Sequence, residues 1–136
     1  MGNNIHAIFD EFKIYFPSIS KTAIGYREWS PEEIEVRLND GGRAIYNFTT
    51  QSARFLSPDI TDEELARLKL ASNLRVYLSR RKMTLLELAE KTEISRQTLR
   101  KYFNSESFPS VYNARKIARA LECTMDELMG LDTYFE

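Results

Sequence analysis

The spacing of apolar residues divides the chain into a mixed N-terminal half and a helical C-terminal half. Within residues 5–16 the apolar side chains recur every three or four positions, which predicts one face of a helix that Pro17 ends. Within residues 33–38 apolar and charged residues alternate strictly, which predicts a strand with one face turned towards a core. The sequence NDGG at 39–42 tolerates positive φ angles and predicts a hairpin turn, after which residues 43–50 return as the next strand.

Residues 21–29 are rich in β-branched and aromatic side chains and predict a further short strand, so a helix and a small antiparallel sheet make up this half. Alternation along the strands predicts which side chains face the helix and which face away. Those predicted to face inward are Ile34, Val36, Leu38, Ala44, Tyr46 and Phe48. Those predicted to face outward are Glu33, Glu35, Arg37, Ile45, Asn47 and Thr49, and we expect the carboxylates among them to be solvated.

The C-terminal half is predicted to consist of helices throughout. Residues 65–78 carry the apolar pattern of a long first helix that runs to about Arg81. Thr84 and Ser95 are predicted to cap a second and a third helix, and Pro109 precedes a fourth. The side chains predicted to face inward on the third and fourth helices are Leu99, Tyr102, Phe103, Val111, Ala114, Ile117, Ala118 and Leu121.

Two capping boxes mark the limits of this helical half. Thr61 and Glu64 have the spacing of a capping box and predict where the first helix starts. Thr124 and Glu127 have the same spacing and predict a last short helix, which Gly130 is predicted to stop.

Pro58 and its Ser and Asp neighbours interrupt both periodicities, which places a domain boundary between the halves. We therefore predict an α+β domain at 1–57, a helix plus a β-hairpin that serves dimerisation or partner binding. An all-α domain at 62–131 is predicted to follow it.

Charge is unevenly distributed although the whole chain is nearly neutral. The 136 residues include 19 basic and 20 acidic ones, for a formal net charge of −1, and this balance gives no general attraction to nucleic acid. Residues 1–61 carry 6 basic and 8 acidic side chains, whereas residues 65–121 carry 13 basic and 4 acidic ones. The second segment can therefore form the positive patch that binding to a phosphate backbone requires.

The sequence contains no signature of catalysis. It has no nucleophile–His pair, no metal-ligand spacing and no Gly-rich phosphate loop, so we predict no enzyme, no cofactor and no metal site. The single cysteine, Cys123, cannot form an internal disulfide and is predicted to be a buried structural thiol. No apolar run approaches the roughly 20 residues that span a bilayer, and the N-terminus lacks the pattern of a signal peptide. We therefore expect a cytoplasmic protein.

The sequence MTLLELAEKTEISRQTLRKYFNSESFPSVYNARKIARALECTMDEL, which begins at Met83, resembles the helix-turn-helix domain of the lambda-repressor-like (XRE, Cro-type) regulators. The resemblance implies that Leu88 packs the first helix of the motif and that Ile94 closes the turn. It also implies that Leu99 and Tyr102 seat the second helix, which enters the major groove of DNA with its N-terminal residues at the base edges.

The resemblance also implies which residues contact double-stranded DNA. Those expected to read bases are Arg96, Gln97, Thr98 and Lys101. Those expected to contact phosphates are Lys82, Thr84, Ser95, Arg100 and Arg115. A Gln side chain can pair with adenine and an Arg side chain with guanine, and each such pair contributes roughly 1–3 kcal/mol of discrimination between bases.

The chain departs from the family pattern at three places around this motif. Leu85 stands where the family often has a Gln that contacts phosphate, and Glu93 stands in the turn where Gly is common. In the loop after the second helix, Ser105-Glu106 replaces a Gly and a basic residue. Glu93 must therefore accept a strained backbone or a different turn. Both glutamates are expected near the DNA backbone, where they would repel it.

Two functions from different classes follow from this layout, which also resembles small regulators of phages and prophages. The first is a homodimeric, sequence-specific repressor whose N-terminal domain holds two subunits together. The second is a phage-encoded inhibitor of a host defence system, such as an anti-CRISPR protein. It would bind a host protein or nucleoprotein through its N-terminal half and regulate its own gene through the helix-turn-helix. An antitoxin is a third reading, and the outer face of the hairpin is expected to discriminate between dimerisation and partner binding.

Overall fold

The computed structural model describes residues 4–129, which divide into two compact units between Ile60 and Thr61. The first unit is a helical segment and an antiparallel sheet of four strands in the order β1-β2-β3-β4. Its elements are α1 (Ile5–Tyr15), α2 (Pro17–Ser20), β1 (Ala23–Ser30), β2 (Glu33–Leu38), β3 (Arg43–Asn47) and β4 (Ser52–Leu56). The predicted combination of a helix with an antiparallel sheet is therefore confirmed.

Local chemistry sets both ends of α1. The side chain of Asn4 accepts hydrogen bonds from the backbone amides of His6 and Ala7, which satisfies two of the free N–H groups at the start of the helix. Pro17 follows the end of α1 and occupies the first turn of α2, where its missing N–H costs no hydrogen bond. One face of α1 packs on the sheet, and the buried core formed there comprises Ile8, Phe12, Ile34, Val36, Ala44 and Tyr46.

The hairpin between β2 and β3 places the side chains predicted to face inward on one face. Val36 lies opposite Ala44 and Ile34 lies opposite Tyr46, so both strands turn their apolar side chains to α1. Gly41 adopts a φ of 91° in the turn, a backbone conformation that a side chain would strain. The hydroxyl of Tyr46 donates a hydrogen bond of 2.9 Å to the Glu11 carboxylate. Burial and this carboxylate together raise the pKa of Tyr46 well above its ordinary range.

The sequence analysis did not predict β4. Its residues are mostly exposed or half-buried and show no strict alternation of apolar and polar side chains, which is why periodicity did not reveal it. It pairs antiparallel with β3, so that Phe55 lies opposite Ala44 on the side of the sheet that faces α1. β4 therefore widens this side of the sheet by one strand.

The prediction that Glu35 and Ile45 face solvent is wrong. Their exposed fractions are 0% and 1%, so the middle of the second sheet face is buried as well. The Glu35 carboxylate forms two ion pairs. One of its oxygens lies 2.6 Å from Nε of Arg27, and the other lies 2.7 Å from Nε of Arg43. The alternating pattern predicted that solvent surrounds this carboxylate, but two guanidinium groups occupy that place in the structure.

The second unit consists of helices, as predicted. They are α3 (Asp62–Arg81), α4 (Leu85–Thr92), α5 (Arg96–Phe103), α6 (Val111–Ala120) and α7 (Met125–Met129). The capping boxes of Thr61 with Glu64 and of Thr124 with Glu127 are both formed. Gly130, the predicted stop of α7, lies outside the described residues, as does the last residue of the predicted domain 62–131.

The helices of this unit enclose one apolar core. Its buried residues are Leu70, Leu74, Tyr77, Leu78, Leu88, Ile94, Leu99, Tyr102, Ile117, Ala118, Leu121 and Leu128. Val111, which was predicted to face inward, is 72% exposed because it is the first residue of α6, at the end of the helix. None of the described helices is long and apolar enough to cross a membrane.

Candidate nucleic-acid interface

The short connection between α4 and α5 gives the second unit a helix-turn-helix. The hydroxyl of Thr92 donates to the Leu88 carbonyl at 2.7 Å, and the Thr92 hydroxyl oxygen accepts the amide of Ile94 at 3.3 Å. Ile94 is buried and anchors the turn in the core, as the sequence analysis expected. Ser95 then caps α5, because its side-chain oxygen accepts the amide of Thr98 at 3.1 Å.

Two backbone positions around α5 are left-handed although neither residue is a glycine. Glu93 ends α4 with a φ of 61°, and its amide bonds to the Ala89 carbonyl at 2.9 Å. Ser105 follows α5 with a φ of 64°. The sequence left two alternatives for Glu93, a strained backbone or a different turn. The structure contains the strained backbone, so the turn keeps its geometry without glycine.

The exposed face of α5 is polar and positively charged. Gln97, Arg100 and Lys101 lie at three- and four-residue spacing on the side opposite the buried Leu99, and Arg96 is exposed beside them. A helix with this face can present hydrogen-bond donors and an amide to base edges while its charges offset phosphates. Three of the four residues predicted to read bases, namely Arg96, Gln97 and Lys101, are therefore available on one surface.

The hydroxyl groups predicted at the interface are already engaged within the protein. The Thr98 side chain is half-buried, and its oxygen accepts a hydrogen bond of 2.9 Å from the Ser95 hydroxyl. The Thr84 hydroxyl donates to the Glu87 carboxylate at 3.1 Å and accepts the Glu87 amide at 3.1 Å, which completes a capping box for α4. These hydrogen bonds fix the first turns of the two helices of the motif.

The charged residues predicted to contact phosphates are all exposed. Arg100 lies on the outer face of α5, Lys82 ends α3 with a φ of 52°, and Arg115 lies in the middle of α6. Leu85, by contrast, is half-buried against the core, so the place of the family's Gln is taken by a packing residue. Glu93 and Glu106 are exposed, and neither carboxylate has a described ion pair.

Two polar contacts hold the C-terminal end of α5, and the sequence analysis predicted neither. From α6, Nδ2 of Asn113 donates to the Tyr102 hydroxyl at 3.0 Å. From α3, Nη2 of Arg75 donates to the Phe103 carbonyl at 3.1 Å, and the guanidinium carbon lies 5.0 Å from the centre of the Phe103 ring. Both contacts join residues that are far apart in sequence, so no local pattern could have revealed them.

A separate groove of about 640 Å³ lies in the same unit, and none of its lining residues belongs to α5. Arg81, Lys91 and Arg119 contribute to its charge from the last turns of α3, α4 and α6. Cations at these places offset the free carbonyls that end each helix. Arg81, for example, donates from Nε to the Leu121 carbonyl at 2.8 Å. Three of the four cations that line the groove thus lie at helix ends, and Lys116 is the fourth.

Comparison with known protein families gives a match within the second unit. Residues 73–128 match a family model described as Helix-turn-helix. The matched segment contains α4, the turn and α5, together with α6 and most of α7. No curated protein and no solved structure was found to match the chain.

Proposed function

We propose, from the match of residues 73–128 to the Helix-turn-helix family model and from the resemblance to XRE-type DNA-binding transcription regulators, that this protein is a sequence-specific repressor. In this role it binds a site that overlaps a promoter and blocks access of the polymerase. The mechanism needs binding alone, without chemistry or a cofactor. The resemblance to small phage and prophage regulators supports a mobile-element origin.

The observation that carries the proposal is the outer face of α5. Gln97 lies near its centre with Arg100 and Lys101 beside it, while Leu99 on the opposite side is fully buried. Only such an arrangement allows the helix to insert into a groove without exposing its apolar side. In the proposal Gln97 pairs with adenine, Arg96 and Lys101 contact guanine or its neighbours, and Thr98 contributes its methyl group to a thymine.

Phosphate contacts give the complex its affinity and its register. We assign these contacts to Lys82, Arg100 and Arg115, which are exposed cations on three different helices. Thr84 and Ser95 support them mainly through the caps described above. Phosphate contacts carry no sequence information directly, so their loss lowers affinity for every DNA sequence alike.

The test of the repressor is binding to duplex DNA from the region upstream of the protein's own gene, with a scrambled duplex as the reference. We expect Arg96→Ala and Gln97→Ala each to reduce the preference for the upstream duplex by about tenfold. Arg119→Ala, which removes an exposed charge outside the motif, is the matched control and should leave that preference unchanged. A wild-type protein that binds both duplexes equally at low salt would contradict the proposal.

We further propose that the first unit joins two copies of the chain, because symmetric half-sites require a dimer. Phe55 on the edge strand β4 is 51% exposed, Tyr15 at the end of α1 is 49% exposed, and Phe16 lies 6.4 Å from Phe55 between ring centres. Exposed aromatic residues of this kind are enriched in protein interfaces. Light scattering should give the mass of a dimer for the wild type and a lower mass for Phe55→Ser, with Ile24→Ser on the opposite edge as the control.

A second candidate function uses the same exposed residues differently. If Tyr15, Phe55 and Ile14 bind a host protein or nucleoprotein, the protein is an inhibitor of a host defence system that also regulates its own gene. The outer face of the hairpin no longer discriminates between the two functions, because Glu35 and Ile45 are buried. The mass measurement does so instead, because a monomeric wild type favours the inhibitor or an antitoxin over the dimeric repressor.

A further inference from the structure

The recognition helix α5 is a poor helix by itself. It has 8 residues, fewer than the roughly 12–15 that an isolated helix needs in water. Its first position is Arg96 and its first turn contains no acidic residue, so the positive end of the helix dipole meets a positive charge. The features that would suit α5 to DNA thus oppose its folding, and tertiary contacts have to compensate.

The contacts that compensate are spread over the length of α5. Ser95 caps its first turn, and Leu99 is fully buried in its middle. Its last turn is held by Asn113, through the Tyr102 hydroxyl, and by Arg75, through Phe103. In that last turn Tyr102 is buried in the core, whereas Phe103 is only half-buried.

Arg75 makes two different contacts with the same residue. Its Nη2 donates to the Phe103 carbonyl at 3.1 Å, which is one of the carbonyls at the end of α5 that lack a partner within the helix. Its guanidinium group also lies over the Phe103 ring at 5.0 Å, within the range of a cation–π contact. A positive charge at a helix C-terminus further offsets the helix dipole. Arg75 belongs to α3, so it ties the end of α5 to the longest helix of the unit.

We propose that Arg75 is a positioning residue for base recognition, which sets the orientation of α5 through Phe103 and contacts no DNA itself. This inference rests on the proposed role of α5 in reading bases. It assigns Arg75, an exposed cation of the basic segment, to contacts within the protein at the end of α5 and not to the phosphate backbone. Loss of Arg75 loosens the last turn of α5, and Lys101 in that turn then loses its fixed direction relative to the base edges.

The first experiment needs no DNA and measures amide hydrogen exchange in the full chain. The amides of Asn104 and Glu106, which bond to the carbonyls of Arg100 and Lys101, report on the end of α5. Arg75→Ala should speed their exchange roughly three- to tenfold, the effect of one hydrogen bond with a cation–π contact. Arg80→Ala, on the same helix, is the control and should leave the exchange rate of these amides unchanged.

Two further variants test the route through Phe103. Phe103→Leu removes the ring and should speed exchange at the same amides, and the double variant Arg75→Ala/Phe103→Leu should be less than additive because both changes break one contact. Arg75→Lys keeps the charge and one donor and should restore part of the protection. Equal acceleration throughout α3, α4 and α6 in Arg75→Ala would overturn the proposal, since it would indicate a loss of general stability only.

The second experiment measures binding of the same variants to the upstream and scrambled duplexes over a range of salt concentrations. Arg75→Ala should lower the preference for the upstream duplex about fivefold and leave the salt dependence unchanged. If it instead weakens binding to both duplexes equally and reduces the salt slope by about one, Arg75 contacts a phosphate and the proposal is overturned.

The two experiments separate this proposal from the function on which it rests. If the wild type shows no preference between duplexes, the repressor proposal fails, and the exchange measurement alone then decides whether Arg75 orders the end of α5. Absence of faster exchange in Arg75→Ala overturns the positioning role, whatever the DNA measurement gives.

Discussion

At the scale of single residues, Glu93 shows how the motif keeps its geometry with an unfavourable side chain. Its φ of 61° belongs to the left-handed region, which costs a residue with a Cβ atom about 1 kcal/mol. We expect Glu93→Gly to raise the free energy of unfolding by about 0.5–1 kcal/mol in urea denaturation, because the gain in the native state exceeds the entropy that glycine adds to the unfolded chain. Glu93→Ala removes the charge but keeps the Cβ atom and should not raise the free energy of unfolding. Equal stabilities of the two variants would show that charge, not backbone strain, dominates there.

The thiol of Cys123 should be unreactive at neutral pH. Burial, assisted by the nearby carboxylate of Glu127, raises the pKa of Cys123 to about 11. We expect the rate of alkylation by iodoacetamide to rise about tenfold per pH unit from pH 8 to pH 10 without reaching a plateau, because the thiolate is a minor species throughout. A plateau below pH 9.5 in the folded protein would contradict the raised pKa.

The same shift has a consequence for stability. The folded-state pKa of Cys123 lies above the ordinary value of 9.0, so the unfolded chain releases this proton first. The thiol therefore contributes stability that is present below pH 9 and is lost as the pH rises from about 9 to 11. Cys123→Ser should show a smaller decline of unfolding free energy over this interval than the wild type.

Glu35 carries the largest expected effect of a single substitution in the first unit. Its carboxylate is fully buried between Arg27 and Arg43, so Glu35→Ala leaves two guanidinium groups without their shared partner. We expect a loss of about 3 kcal/mol in chemical denaturation. The matched control is Glu33→Ala on the same strand. Its ion pair with the half-exposed Arg54 is 3.7 Å long and should contribute less than about 1 kcal/mol.

At the scale of elements, α4 offers a test of what a helix cap contributes to the motif. Thr84→Ala removes both hydrogen bonds between the Thr84 hydroxyl and Glu87 and should lower the free energy of unfolding by about 1 kcal/mol. Thr84→Ser preserves the cap and is the control. Well below the melting temperature, DNA affinity of the Ala variant should change less than about twofold. Unchanged stability with a large loss of affinity would instead support the phosphate contact that the family resemblance implies.

The helices of the second unit were predictable because their signals are local. Thr61 and Thr84 lie beside the first residue of α3 and α4, and the apolar spacing of 3.6 residues persists through each helix. The sheet was predictable only in part. Alternation identified β2 and β3, but it could not detect the edge strand β4 or tell that Glu35 is buried with Arg27 and Arg43 as partners.

The residues of the candidate interface were likewise predictable only in part. Arg96, Gln97 and Lys101 follow from their position after the turn, and the structure exposes all three. The contacts of Arg75 and Asn113 with the end of α5 were not predictable, because each depends on packing between different helices. Neighbouring residues thus decide which side chains are presented, while distant ones decide how firmly they are held.

At the scale of the whole molecule, the positive charge of residues 65–121 gives the proposed complex its salt dependence. Each phosphate contact contributes a slope of about −0.9 in a plot of log K against log salt concentration. Lys82→Gln with Arg115→Gln should therefore reduce the slope by about 1.8 and leave the preference between duplexes unchanged. Gln97→Ala should instead lower the preference between duplexes and leave the slope unchanged. A double variant that alters the preference but not the slope would reverse the roles assigned to these residues.

The left-handed residues at helix ends also bear on how this protein can evolve. Lys82, Glu93, Ser105 and Glu122 all adopt positive φ angles that glycine would accept without strain. Each is a place where one substitution can add stability without altering the outer face of α5. In the proposed repressor, substitutions that retarget α5 to a new operator would commonly destabilise the domain, and a glycine in place of Glu93, Ser105 or Glu122, which have no assigned phosphate contact, can offset that loss. The domain therefore retains several independent mutational routes by which a change of target could be tolerated.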